Sequence, residues 1–201
     1  MTETRETLIN ESSFWYWDGV VDDETCDKII ALGEGQFSEA TVIGQTLDIC
    51  RSDDYRKTDV AWIDEEWGYN LFFSYMKTAN ESAGWNYDIR SCESVQLGRY
   101  TTGGFYDTHR DGLGSHKGQH NAPENELLHG FARKISITLL LTNEFEGGNL
   151  EFLSNTGQPP NFELNRGTVV AFPSFCDHHV TPVTRGVRHS AVAWFVGPPF
   201  K

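Results

Sequence analysis

The residues of this chain best placed to do chemistry are His109 and Asp111, one residue apart, and a downstream pair, His178 and His179. On a strand, residues i and i+2 project from the same face, so an imidazole and a carboxylate at this spacing can grip one ion. One remote histidine then completes two nitrogens and one oxygen on a single triangular face of an octahedron. The opposite positions stay open, which is the donor set of a non-haem Fe(II) oxygenase centre.

The remaining histidines carry less. No carboxylate stands at strand spacing from His116, His120 or His129, and the sequence reads them as surface or satisfied core residues. A zinc site using His116 and His120 requires a helix that Gly114 and Gly118 disfavour. Cys26, Cys50, Cys92 and Cys176 are scattered without a C-x-x-C pair, which points to buried thiols in a reducing compartment rather than a zinc knuckle or a disulfide framework.

The elements that must position these ligands follow from periodicity. The 201 residues suit one domain, 1–201, divided here into a helical lead-in over 1–90 and a jelly-roll core over 91–201. Asp22 is the expected N-cap of a helix with Cys26, Ile29 and Ile30 at helical spacing, ending near Gly33 or Gly35. A second helix is expected from Glu65 to Ser82, with Trp67, Leu71, Tyr75 and Ala79 on its core face and Gly84 as its stop.

After Trp85 the pattern alternates. Val95, Leu97 and Arg99 oppose Gln96, Gly98 and Tyr100, and Ile135, Ile137, Leu139 and Leu141 oppose Ser136, Thr138 and Leu140. Further strands are expected at Leu150–Leu153, Thr168–Phe172 and Arg188–Val196, with a turn at Glu146-Gly147-Gly148-Asn149. The fold class is therefore mainly β with N-terminal helices, a double-stranded β-helix of the jelly-roll or cupin-like kind. In such a sandwich Gln96, Tyr100, Thr138 and Ser190 can line a polar mouth. The stretch from Gly112 to Phe131 has no clear period, and its length suggests a lid over the site.

Sixteen basic against 29 acidic residues leave a net charge of −13, which repels polyanions and argues against nucleic acid as a partner. A neutral or basic substrate suits that balance. No apolar run approaches the roughly 20 residues of a membrane span, and Met1 to Ser13 lacks the apolar core of a signal peptide. A cytoplasmic location is expected, and nothing in the sequence sets the oligomeric state.

Several motifs occur in order: Arg99-Tyr100, Gly103, Gly104 and Tyr106 ahead of the His-x-Asp pair, then Arg133-Lys134, Glu146-Gly147-Gly148, and the segment from His178 to Trp194. Together they resemble the 2-oxoglutarate and Fe(II)-dependent dioxygenases, in the branch of the prolyl 4-hydroxylases and related bacterial and viral hydroxylases. The resemblance covers Ser94 to Gly197, and Phe14 to Leu32 more loosely. That family reads His-x-Val-x-Pro-Val at the third ligand, which selects His178 over His179.

The resemblance also implies roles. Arg188 matches the basic residue that clamps the distal carboxylate of 2-oxoglutarate, where collagen-type enzymes more often carry lysine, and Tyr100 matches a tyrosine on the same carboxylate. Arg185, before Gly186, is read as a solvated charge. Tyr106, Arg133 and Trp194 match residues around a target proline. Retention of Asp111 separates the chain from related halogenases. The implied activity is hydroxylation of a prolyl residue in a peptide or protein, at a metal centre that needs no further catalytic side chain. Fe(II), 2-oxoglutarate and dioxygen are implied, with ascorbate as a candidate reductant. The same chemistry on free proline, another amino-acid side chain or a small metabolite is one alternative, and a non-catalytic cupin-like metal-binding module is the other.

Overall fold

The computed structural model describes residues 13–40, 42–43, 49–50, 55–153 and 164–201. The reading of Met1 to Ser13 and the side chain of Cys50 lie largely or wholly outside them.

Helix α1, Asp23–Gly33, begins where the sequence places its cap: the Asp22 carboxylate accepts from the Thr25 amide at 2.8 Å. Such a cap contributes about 0.5–2 kcal/mol. Gly33 closes the helix against the sheet, since a Cβ there would lie 2.2 Å from the Leu97 side chain. Helix α2, Glu66–Ser82, buries Gly68, Phe72, Met76 and Ala79. Trp67, Leu71 and Tyr75, expected on the central seam, pack along its edges instead. A pure four-residue series drifts about 40° per step around a 3.6-residue helix, so only its last member reaches the line that faces the core.

The strands in chain order are β1 (Trp15–Trp17), β2 (Ser38–Glu39), β3 (Val42–Ile43), β4 (Ile49–Cys50), β5 (Arg56–Lys57), β6 (Asp59–Ile63), β7 (Ser91–Cys92) and β8 (Val95–Tyr100). They continue with β9 (Phe105–His109), β10 (Ala132–Leu140), β11 (Phe145–Gly147) and β12 (Leu150–Phe152). The last four are β13 (Val169–Pro173), β14 (His178–Val180), β15 (Val183–Gly186) and β16 (Arg188–Gly197). A major sheet runs β1-β13-β10-β16-β8-β6-β2, with β7 beside β16, and a minor sheet runs β12-β14-β9-β5. The expected double-stranded β-helix is thus formed, but strands from within 1–90 complete both sheets. The expected division at residue 90 is crossed because β8 and β9 each need an outer neighbour, supplied by β6 and β5.

Alternation sorts the major sheet into two faces. Leu97, Ile135, Ile137, Leu139, Ala191, Ala193 and Phe195 turn towards α1 and α2, forming the larger core with Phe72 and Met76. Each fully buried side chain of this size contributes about 1.5–3 kcal/mol. The other face meets the minor sheet, where Tyr100, Phe152, Val170 and Phe172 pack with Val180. Gln96, Thr138 and Ser190 lie on this inner side and line the pocket there, as the alternation implies.

Residues 112–131 are held by their own hydrogen bonds. His120 N donates to Phe131 O at 2.8 Å, Gly130 N to His120 O at 3.0 Å, and Gln119 bridges Ala132. A single 3-10 turn, His116–Gly118, interrupts the stretch. Among the described residues, no helix is long and apolar enough to cross a membrane.

Candidate metal centre and cosubstrate pocket

Strand pairing brings the ligands together. In the minor sheet His178 of β14 is registered opposite His109 of β9, and their ring centroids are 4.2 Å apart. Asp111 departs from the expected strand geometry, because β9 ends at His109 and the aspartate lies in the bend that follows. Two bonds fix that bend: Gly112 N donates to Ser174 O at 2.9 Å, and Arg133 Nη1 donates to Asp111 O at 3.1 Å. The carboxylate then reaches both imidazoles, with Oδ1 3.6 Å from His109 Nε2 and Oδ2 3.7 Å from His178 Nε2. All three donor atoms lie within 4.8 Å of one another.

The outer nitrogens set the tautomers. His109 Nδ1 lies 2.8 Å from Asp107 O, and His178 Nδ1 lies 2.9 Å from Cys176 O. A carbonyl can only accept, so each Nδ1 carries the proton and each Nε2 offers a lone pair to a metal. Burial pushes the His178 imidazole down in pKa despite nearby Asp111, keeping it neutral. Burial alone would raise the Asp111 carboxyl, but positive charge facing it, on His178 when that ring is protonated and on Arg133, holds it well below the usual carboxylate range. These are the protonation states that metal ligation requires.

His179 turns away and pairs with Glu151 at 3.1 Å. Arg185 is exposed and bound to Glu146. Arg188, by contrast, is 1% exposed and lines the pocket in front of the triad. Its Nη1 donates to Ser190 Oγ at 2.9 Å, while Nε and Nη2 are buried without an acceptor. Burial lowers its pKa, and the Tyr100 ring stands 5.3 Å away. A buried guanidinium with two orphaned donors is a receptor for a carboxylate. The residues present therefore fit Fe(II) on the triad and 2-oxoglutarate between the triad and Arg188.

The three residues expected around a substrate are placed differently from one another. Tyr106 and Trp194 line the pocket. The Tyr106 ring stacks on His109 at 3.5 Å, Arg56 lies over it at 4.5 Å, and Tyr55 packs against it in a T-shaped contact at 5.8 Å. Burial raises the Tyr106 phenol, so it remains a protonated donor. Trp194 has a buried Nε1 without an acceptor. Arg133 stands behind this wall: Nε and Nη2 grip the Glu93 carboxylate at 2.5 and 2.6 Å, and the guanidinium covers Trp194 at 4.0 Å. His120 joins the same carboxylate at 3.1 Å.

Sequence reasoning missed Arg56 and Glu93. Arg56 is 7% exposed, lines the pocket and donates from Nη2 to Gln96 Oε1 at 2.8 Å. It stands in a two-residue strand, too short to show a period. Glu93 precedes β8 and meets Arg133 across 40 positions, a contact that no local pattern announces.

A jelly roll whose sheets enclose an open two-histidine, one-carboxylate face is the architecture of a non-haem iron oxygenase. Residues 95–196 match the family model of the 2OG-Fe(II) oxygenase superfamily, and the chain belongs to that superfamily. A PKHD-type hydroxylase from Idiomarina loihiensis is 32% identical over 102 residues, which are 50% of this chain and 40% of that protein. The chain thus matches well under half the length of this curated relative. Among solved structures, the viral collagen prolyl hydroxylase of Paramecium bursaria Chlorella virus-1 superposes with a TM-score of 0.66 at 17% identity, covering 94% of this chain and 99% of that one. A prolyl hydroxylase from Trichoplax adhaerens, in complex with a hypoxia inducible factor oxygen degradation domain peptide fragment, gives a TM-score of 0.64 at 16% identity, over 93% and 84%. At these identities the likeness is one of fold.

Proposed function

We propose that this protein is an Fe(II)- and 2-oxoglutarate-dependent dioxygenase that hydroxylates a prolyl residue of a peptide or protein. The observation that carries the reaction class is the coincidence, in one pocket, of an open His109–Asp111–His178 face with a buried Arg188 that has no carboxylate partner among the described residues. Proline as the target is supported by the prolyl hydroxylase neighbours and by Tyr106 and Trp194 beside the metal face.

Fe(II) and 2-oxoglutarate, when bound, supply oxidative decarboxylation to succinate and carbon dioxide and transfer of one oxygen atom from dioxygen to a C–H bond. The chain supplies the rest. His109, Asp111 and His178 hold the ion, and Arg188, braced by Ser190 with Tyr100 alongside, receives the distal carboxylate. Leu150, Val180 and Val192 give the pocket dry walls, which strengthens each charge interaction inside it.

The test is succinate release from 2-oxoglutarate with Fe(II) and proline-containing peptides, read with mass spectrometry for one added oxygen on proline. Turnover no higher than in an Asp111→Ala control refutes the proposal, and oxygen found only on other residues refutes its target.

A further inference from the structure

The pocket holds more positive charge than the cosubstrate explains. Two arginines, Arg56 and Arg188, line it with low exposure, and Asp111 is the sole carboxylate among the lining residues. Asp111 and the two carboxylates of 2-oxoglutarate give three negative charges against four from Fe(II), Arg56 and Arg188. One cation is left over. A buried charge without a partner is costly, and a protein tolerates it where a ligand supplies the counter-ion.

Strand register separates the two arginines. On β16 and β8 the pairs run Arg188 with Tyr100, Ser190 with Gly98, and Val192 with Gln96. Arg188 reaches from the first of these rows to Ser190 in the second, whereas Arg56 bonds Gln96 in the third. Alternate residues along a strand are about 6.6 Å apart, so the Gln96 row lies one such step along the sheet from the Ser190 row that Arg188 bonds. Beyond it stands Trp194. At that end Arg56 has a buried Nε without an acceptor, and Trp194 has its own orphaned Nε1 donor. No carboxylate pairs with Arg56 among the described residues.

We infer that Arg56 receives a carboxylate of the primary substrate, so that the proline acted on carries its own free α-carboxylate, as free proline or as the last residue of a peptide. This rests on the reading of the protein as a proline-directed hydroxylase, and it replaces internal prolyl residues with a C-terminal or free proline as the target. Stacked over Tyr106, whose other face meets His109, the Arg56 guanidinium is separated from a candidate metal ligand by one aromatic ring, a spacing that suits a carboxylate adjoining the reacting ring. The overall charge of −13 runs the other way. Surface charge acts on approach and is screened by salt, whereas the enclosed pocket sets the preference for what stays bound.

The test uses protein loaded with Mn(II) and 2-oxoglutarate, titrated by calorimetry with L-proline, L-prolinamide, and a proline-terminated peptide as acid and as amide. Each acid is expected to bind on the order of tenfold or more tighter than its amide. Arg56→Gln should erase that preference, Arg56→Lys should restore part of it, and 2-oxoglutarate affinity should stay unchanged in both. Equal binding of acid and amide, binding of neither acid, or loss of 2-oxoglutarate affinity in Arg56→Gln with the acid preference intact overturns the inference. Turnover of internal prolines with no acid preference overturns the inference and leaves the prolyl reading standing. Acid-selective binding that Arg56→Gln erases, without turnover of any proline compound, overturns the prolyl reading and proline as the target, and leaves only the carboxylate site at Arg56 standing.

Discussion

Arg133 donates from Nη1 to the main-chain carbonyl of Asp111 at 3.1 Å, so the second residue of β10 braces the backbone of a candidate metal ligand from behind. Its other two donors are committed to Glu93, and Glu93 in turn meets His120 from the 112–131 stretch. A chain of ionic contacts thus runs from that stretch to the back of the metal site. Arg133 acts on the site at one remove, through Asp111 and through the Trp194 ring it covers.

Glu93→Gln is expected to loosen this brace. Breaking a buried ion pair by neutralising one partner costs about 3 kcal/mol, and urea unfolding at pH 7 measures it. Burial alone would raise the Glu93 carboxyl, but Arg133 and His120 bring it below its ordinary value. Its stabilising contribution is therefore complete above the unfolded pKa of about 4.3 and is lost as the pH falls through the lower folded value. The gap between wild type and variant should narrow below about pH 4. A gap that is constant with pH refutes the assignment.

Much of this was legible in the sequence, and what was not has a physical cause. Alternation placed Gln96, Tyr100, Thr138 and Ser190 on the pocket side, because a period of two survives in any long strand. The cap at Asp22 is a local bond and was equally readable. The α2 seam was misread by one residue at Trp67, Leu71 and Tyr75, since partly buried edge residues obey nearly the same spacing as buried ones. Arg56 and Glu93 escaped because their meaning lies in partners about 40 residues away, Gln96 and Arg133. Asp111 was assigned to the site for a strand geometry it does not have, and the bend at Gly112 delivers its carboxylate instead.

His178 and His179 should separate cleanly. His178→Ala removes a nitrogen whose tautomer is fixed by Cys176 O, and metal affinity should fall at least about a hundredfold by competition with a chelator. His179→Ala breaks a half-exposed pair with Glu151 and should leave metal affinity within about threefold, with a stability change of about 1 kcal/mol or less. The opposite order would move the third ligand to His179.

Arg188→Met is expected to trade binding for stability. The wild-type guanidinium is buried with two donors lacking acceptors, so replacing it with an apolar chain of similar length should stabilise the ligand-free protein by about 1–3 kcal/mol. The variant should show no rise in melting temperature when Mn(II) and 2-oxoglutarate are added together, beyond that from Mn(II) alone. Retained stabilisation by 2-oxoglutarate would remove Arg188 from the cosubstrate site.

Gly148 connects the Glu146-Gly147-Gly148 turn to that same arginine. Its φ is +63°, and a Cβ there would lie 2.9 Å from Arg188 Cδ and 3.0 Å from Val183 Cγ2. Gly148→Ala therefore adds backbone strain of about 1–2 kcal/mol and also presses on the arginine stem. Gly130 separates the two effects, because its φ is +78° and a Cβ there meets nothing within 4 Å. Both alanine variants should lose stability in urea, Gly148→Ala the more, but only Gly148→Ala should raise the KM for 2-oxoglutarate, by several-fold, with kcat changed less. If the two variants bind 2-oxoglutarate alike, the glycine serves the turn alone and the position of Arg188 does not depend on it.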